Sequence, residues 1–349
     1  MAKKVMVGMS GGVDSAVSAL VLKNNGYDVT GINCRFFDSD KSKVSQDVED
    51  AKKVADSLGI PFQVYELYGG FEERVIANFI ASYLKGETPN PCIECNKHLK
   101  FGKLLDKALE DGFDYIATGH YARVEFDQTT GRYLLKKGTD ESKDQSYVLY
   151  CLTQHQLSHT IFPLGDMTKE NARTLAEEMK LVNARKSDSQ DICFIPDGDY
   201  AAFIQGRLDY TLPKGNFVDT DGNILGQHQG IIHYTVGQRK GLGIALGKPA
   251  FVQSKSAEDN TVVLGSNEGL FRCELTARDI NLITCDKLTE PIRCKARIRY
   301  SAKEQWATVT QTDETHLHIV FDEPQRAISK GQAVVLYDGY TVIGGGTIE

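Results

Sequence analysis

The chain has 349 residues, 41% hydrophobic and 25% charged, with 47 acidic against 40 basic side chains and a formal charge of −7. At about 150 residues per domain that is enough for two or three packed domains, and it excludes both a disulfide-stapled module and a disordered polyelectrolyte. No apolar run reaches the roughly 18 residues of a membrane span, and Met1-Ala2-Lys3-Lys4 leads into the short run Val5-Met6-Val7-Gly8 rather than a signal-peptide core, so a cytoplasmic chain without a membrane partner is expected. Eight cysteines in a chain of this length are far below disulfide-scaffold density and are expected to be mostly reduced thiols.

The first 120 residues alternate short β-rich runs with helical patterns, the order that yields a mostly parallel sheet covered by helices. Strands are predicted at 5–8, 29–33, 62–67 and 115–118, and helices at 13–24, 48–58, 71–83 and 99–109. In the first helix Val13, Ala16, Val17 and Leu20 recur at three-to-four spacing and make one apolar stripe. Residues 125–150 read as a hairpin-like insertion turning at Thr130-Gly131, and a further helical pattern starts at Thr168. Beyond Gly206 the texture changes to short β runs separated by glycines, ending in "CKARIRY", "QWATVTQT", "HLHIVF" and "QAVVLY", which suggest an antiparallel barrel or sandwich. The expected architecture is an α/β domain over 1–205, a small central β-rich module over 206–270 and a C-terminal antiparallel β-barrel over 271–349.

The sharpest local pattern is "VMVGMSGGVDSAVSALVL", a β run, then Ser10-Gly11-Gly12-Val13-Asp14-Ser15, then a helix. Glycines let backbone amides approach an anion, hydroxyls donate to its oxygens, and the helix N-terminus adds positive potential. Asp14 offers a hard oxygen ligand for a magnesium ion bridging phosphates. The string matches neither the Walker loop nor the dinucleotide fingerprint. It resembles the pyrophosphate loop of the ATP-pyrophosphatase superfamily, which implies cleavage of ATP between its α and β phosphates and transfer of AMP to an oxygen.

Two further segments carry thiols: "TPNPCIECNKHLKFG" with Cys92 and Cys95, and "KSDSQDICFIPDGDY" with Cys193. One thiolate can attack or carry sulfur while a second resolves a persulfide. A Cys-x-x-Cys pair is equally a half-site for zinc or an iron–sulfur cluster, and Cys193, between Ile192 and Phe194, also reads as a small buried hydrophobe.

These motifs, with "YIATGHYAR", "KDQSYVLY", "FPLGDMTKENAR", "HQGIIHYTVGQRKGLG" and "YDGYTVIGGGTI", run in order along nearly the whole chain, which resembles the tRNA-specific 2-thiouridylase family. The resemblance implies ATP-dependent replacement of the 2-oxygen of a wobble uridine by sulfur in tRNAs for Lys, Glu and Gln. It places ATP on Gly8, Met9, Ser10, Gly11, Gly12, Val13, Asp14 and Ser15, with Cys34 and Gly119 as further contacts. It makes Cys95 the nucleophile and Cys193 the persulfide carrier, the two forming a transient disulfide. It sets Asn90, Pro91, Cys92, His120, Lys143, Asp144, Gln145, Arg299, Tyr300 and Gln332 against tRNA. Lys97, Lys100, Arg123 and Arg297 are additional basic candidates for RNA contact. The partners implied are tRNA, a cysteine desulfurase or sulfur-relay protein, and a cellular thiol reductant. Many members of the family carry Asp where this chain has Cys92. That thiol opens a competing expectation, a [4Fe-4S] cluster on Cys92, Cys95 and Cys193.

Overall fold

The computed structural model describes residues 2–36, 46–184, 186 and 192–349. The chain divides into two compact units, one of Met1–Val75, Cys92–Gln190 and Asp338–Gly344, the other of Ile76–Pro91, Asp191–Tyr337 and Gly345–Glu349.

The first unit is built on a parallel sheet. Its strands are β1 (Lys4–Gly8), β2 (Asp28–Arg35), β3 (Phe62–Glu66), β4 (Tyr115–Ala117) and β7 (Thr160–Ile161), in the order β3-β2-β1-β4-β7. Helix α1 (Val13–Asn24) spans the residues its apolar stripe predicts, and α2 (Gln46–Leu58) follows β2. Val5, Val7, Val17, Leu20, Val54, Ala117 and Ala172 join one core, so α1 is buried beneath α2 and the helix Lys169–Glu178. From β1 the order runs to β2 on one side and to β4 on the other. That reversal is the topological switch point, where an open α/β sheet leaves a crevice at the carboxyl ends of its strands. The expected hairpin forms from β5 (Ala122–Asp127) and β6 (Arg132–Lys137), but residues 146–149 are helical rather than part of it. Its edge is covered by pairing of Lys136 with Thr341, a contact between residues two hundred positions apart that local pattern could not foretell.

Both long central helices depart from a regular α pattern. The predicted 71–83 helix is regular over Tyr68–Phe71, wide-turned over Glu72–Ile76 and regular again over Ala77–Leu84. The 99–109 helix begins earlier, at Pro91–Cys95, and widens over Asn96–Lys103 before Leu104–Glu110. Wide turns are rare and cluster at functional sites, and this one begins directly after Cys95. A Cβ at Gly102 would approach the Lys97 carbonyl to 3.1 Å, so glycine eases the close passage of that wide turn.

The second unit carries a small sheet and most of a barrel, whose last strand is divided between the two units. β8 (Gly215–Val218), β9 (Ile224–His228), β10 (Phe251–Ser256) and β11 (Thr261–Gly265) make a small sheet in the order β10-β11-β8-β9. The later strands are β12 (Phe271–Leu282), β13 (Ile292–Arg297), β14 (Gln305–Gln311), β15 (Leu317–Arg326), β16 (Ala333–Asp338) and β17 (Thr341–Ile348). They run β12-β15-β14-β13-β16-β17, and a β12–β17 pairing closes the barrel. Alternation is clean on β13, where Cys294 and Ala296 point inward and Arg293, Lys295 and Arg297 outward.

Candidate active site

The loop after β1 is held in shape from behind. Asn33 Nδ2 donates to the Met9 carbonyl at 2.8 Å, and Asn183 Nδ2 donates to the carbonyls of Gly11 and Gly12 at 3.1 and 2.9 Å. Those amides occupy the loop's carbonyl oxygens and so weaken the negative potential that would repel an anion. Ser15 Oγ accepts from the Ser10 N–H at 3.2 Å and donates to the Gly12 carbonyl at 3.0 Å. Gly11 has φ +75°, and a Cβ there would stand 2.7 Å from the Asp47 carbonyl oxygen, so only glycine fits. Gly12 caps α1 without a side-chain acceptor, and the first-turn amides of α1 keep the anion-binding potential of a helix N-terminus.

Asp14 is gripped by groups from three separate segments. Lys169 Nζ lies 2.8 Å from each of its carboxylate oxygens, and Tyr121 Oη donates to Oδ1 at 2.8 Å. The Lys169 side chain is only 10% exposed, so this pair is screened far less than a surface ion pair. Gly119 presses on the same place: a Cβ there would come within 3.0 Å of the Asp14 Cβ and the Ser15 N. The Thr-Gly-His turn after β4 and the loop after β1 therefore meet at the switch point. A side chain at 119 would fill space next to the loop.

The Cys95 segment converges on the same end of the sheet. Cys95 is buried and Cys92 exposed. Burial pushes the Cys34 thiol, at the end of β2, up to about 12, with Lys100 opposing and Cys95 reinforcing that shift, so the three lie in one electrostatic neighbourhood. A neutral thiol of this kind serves as a contact surface rather than a nucleophile. Cys151, also pushed up to about 12 by burial, directs Sγ at the Ile93 carbonyl and backs the Cys95 helix. His120 stacks near Phe101 and Phe162, with ring centroids 6.0 and 5.9 Å away, and shares a 2.7 Å hydrogen bond with Thr118 Oγ1. Burial, aided by the charge of Lys100, holds its imidazole well below the usual histidine range, so it is neutral at pH 7. The side-chain amide of Asn96 donates to the Val148 carbonyl at 2.9 Å, while its buried Oδ1 has no hydrogen-bond partner among the described residues.

The residues expected against RNA divide into inward- and outward-turned groups. Asp144 is buried and accepts from the N–H groups of Gly138 and Ser146 and from Ser146 Oγ. Gln145 Oε1 accepts from the Tyr121 N–H at 3.0 Å, which aligns the tyrosine that holds Asp14. Lys143 is half-buried beside them. Arg123 Nε donates to the Lys137 carbonyl at 2.9 Å across the hairpin, and Lys97 is exposed. In the second unit Gln332 Nε2 donates to the Thr88 carbonyl at 2.8 Å, which brings Gln332 to the segment that continues into Asn90 and Pro91. Arg299 donates to the Arg326 carbonyl at 3.4 Å, and Tyr300 is exposed beneath the Arg297 guanidinium, 5.3 Å from its ring centroid. Cys193 is exposed, next to Phe194, whose ring meets Phe79 edge-on at 5.5 Å. Residues 187–191 of its motif lie outside the described residues.

Sequence reasoning missed Lys169, Tyr121, Asn33 and Asn183. A signal existed for Lys169: it is the first residue of its helix after the Thr168 cap, where the helix dipole disfavours a cation. The other three act over distances that no local pattern encodes.

The donor set fits one metal expectation and not the other. A carboxylate has about four lone-pair positions. Asp14 uses three on Lys169 and Tyr121, which leaves one for a magnesium ion that arrives on ATP. Among the described residues, no group of three or more His, Cys, Asp or Glu side chains is arranged to hold a metal ion. The expected [4Fe-4S] set of Cys92, Cys95 and Cys193 thus lacks support in the donor geometry. No helix among the described residues is long and apolar enough to cross a membrane.

Comparison with known proteins gives the family. Family models match residues 3–197 (tRNA methyl transferase HUP domain), 201–266 (tRNA methyl transferase PRC-barrel domain) and 272–348 (aminomethyltransferase beta-barrel domain). The tRNA-specific 2-thiouridylase MnmA of Clostridioides difficile (strain 630) is 53% identical, covering 100% of this chain and 99% of that protein. MnmA of Acetivibrio thermocellus is also 53% identical, covering 99% of each chain. MnmA of Clostridium botulinum (strain Alaska E43 / Type E3) is 50% identical over 99% of this chain and 98% of that one. With a phosphate loop at the switch point and full-length relatives at this identity, the chain belongs to the MnmA family of tRNA-specific 2-thiouridylases, enzymes of the pyrophosphate-loop type.

Proposed function

We propose that this protein makes 2-thiouridine at the wobble position of tRNAs for Lys, Glu and Gln, using ATP and a cysteine persulfide. The observation that carries the reading is the meeting of the Gly8–Ser15 loop with Gly119 at the switch point, in the same compact unit as the buried Cys95. The relatives are named for thiolation while the matched domain model is named for methyl transfer. A loop built for phosphate beside a thiol favours thiolation.

Uridine C2 is a poor electrophile and its oxygen a poor leaving group. The loop holds the triphosphate of ATP while O2 of the target base attacks the α phosphorus and pyrophosphate departs. Asp14 would hold the magnesium that comes with the phosphates, which would neutralise charge on them, and Lys169 and Tyr121 fix the direction of that carboxylate. The terminal sulfur of a Cys193 persulfide attacks C2, and AMP leaves with the former O2. Cys95 thiolate then attacks Cys193 Sγ, the S–S bond to the transferred sulfur breaks, and 2-thiouridine is released with a Cys95–Cys193 disulfide. A thiol reductant restores both thiols, and a cysteine desulfurase or its relay reloads Cys193. The target base leaves the anticodon-loop stack to reach ATP, and the neutral His120 offers it a hydrogen-bonding edge without charge repulsion from Lys100.

The test is product identity. Purified protein with tRNA, magnesium, ATP, cysteine and a desulfurase is expected to yield AMP, pyrophosphate and 2-thiouridine in equal amounts. ADP and phosphate as the stoichiometric products would overturn the assignment.

A further inference from the structure

The outer face of the barrel carries a feature that the reaction above does not use. Trp306, the only tryptophan in the chain, is half-exposed at the start of β14. Lys295 is its directly paired neighbour on β13, and its ammonium lies 5.6 Å from the centre of the indole. The Arg293 guanidinium lies 5.4 Å from the same ring. Alternation on β13 puts both cations on the outer face, opposite the buried Cys294 and Ala296. Arg293 also pairs with Asp322, and about half of each side chain is exposed. An exposed pair of this kind is easily exchanged for another anion.

We infer that Arg293, Lys295 and Trp306 form a second contact surface for the tRNA, distinct from the residues that carry out the reaction; this rests on the function proposed above. Charge complementarity selects the occupant. Two cations on one strand face, in a chain whose net charge is −7, offer local attachment for phosphates. The open part of the indole offers a sequence-tolerant surface for a ribose or an unpaired base. Because the three side chains stand on paired strands rather than a loop, the surface is preorganised and loses little freedom on binding.

The chain supplies its own probe. Titrating the full-length protein with unmodified substrate tRNA is expected to change the emission of Trp306 saturably, at the same midpoint as binding measured by gel shift. Replacing both cations, Arg293→Gln with Lys295→Gln, is expected to weaken tRNA binding about 5- to 30-fold. The plot of log affinity against log salt should flatten by about 0.7 to 1.8, one or two phosphate contacts. Turnover at saturating tRNA should stay unchanged. Unchanged emission, affinity and salt slope, with tRNA still bound and thiolated, would overturn this surface and leave the proposed function standing. Protein that neither binds nor thiolates tRNA would overturn both. An emission change produced by the sulfur-donor protein and not by tRNA would reassign the face to a protein partner and also defeat the inference.

Discussion

Two desolvated lysines, Lys169 buried in one compact unit and Lys255 half-buried in the other, show how the partner of a desolvated charge decides what it does. Lys169 faces a carboxylate: both oxygens of Asp14 lie 2.8 Å from its ammonium, in a loop shaped for phosphate. Lys255, on β10, pairs with no carboxylate among the described residues; it donates to the Tyr234 carbonyl at 2.8 Å and lies 5.9 Å from the centre of the Tyr83 ring. Burial pulls the Lys255 amine down to about 8. The first lysine sets the direction of the carboxylate proposed above to face the nucleotide. The second ties the small central sheet to the helix Ala77–Leu84 and touches none of the phosphate-loop residues described above.

The sharpest way to break that contrast is to remove each ammonium and keep its stem. Lys169→Met leaves Asp14 with Tyr121 alone, so the carboxylate loses its fixed direction and its nearest positive charge. tRNA-dependent pyrophosphate release is expected to fall by about 10²- to 10³-fold, the size of effect seen when one preorganised electrostatic group is lost. Lys169→Arg should recover part of it. Persulfide loading of Cys193, followed by intact-protein mass spectrometry, should be unchanged in both variants. Equal loss of loading and of pyrophosphate release would mean that Lys169 merely holds the fold.

A smaller effect is expected from Gly119→Ala, which leaves every polar group in place and adds one methyl beside Asp14. That carbon would stand 3.0 Å from the Asp14 Cβ and the Ser15 N, so the loop must give way. Overpacking of this kind costs about 1–3 kcal/mol. Part of the strain should appear as a KM for ATP raised about 10-fold, with Cys95 as reactive toward alkylating reagents as before. Unchanged ATP kinetics would show that the turn after β4 does not border the nucleotide.

What the sequence disclosed follows the reach of each interaction. Helix α1 and the strands around it were legible because apolar spacing and two glycines are local signals, and the loop of Ser10 to Ser15 was legible for the same reason. Ordered resemblance added Gly119, whose contact with Asp14 spans 105 positions and leaves no local trace. Lys169 escaped because its 155-residue separation from Asp14 hides the pairing, although a cation in a first helical turn was an anomaly in plain view. The wide turns after Phe71 and Cys95 escaped because side-chain periodicity reports a helix and is nearly blind to its pitch.

The smallest expected effect concerns Lys255, and it appears in stability rather than catalysis. Its amine titrates near 8 in the folded protein, against about 10.4 in an unfolded chain. Between those values the unfolded chain holds a proton that the folded protein has released, so stability rises with pH across the window. Below pH 8 both states are charged and folding bears the full cost of burying the ammonium; above about 10.4 both are neutral and that cost is gone. The total change is about 3 kcal/mol, from about 2.4 units at 1.36 kcal/mol each. Lys255→Met removes the group from the balance, along with its bond to Tyr234. Urea unfolding of both proteins at pH 7.5, 8.5 and 9.5, about 2 units of pH in all, is expected to show wild-type stability gaining on the variant at each step. Contributions of other titrating groups cancel in the difference, and pyrophosphate release at pH 7.5 should be the same in both proteins. A flat difference across the window would show that Lys255 keeps an ordinary, solvated amine, and a loss of pyrophosphate release matching that of Lys169→Met would erase the distinction between the two lysines.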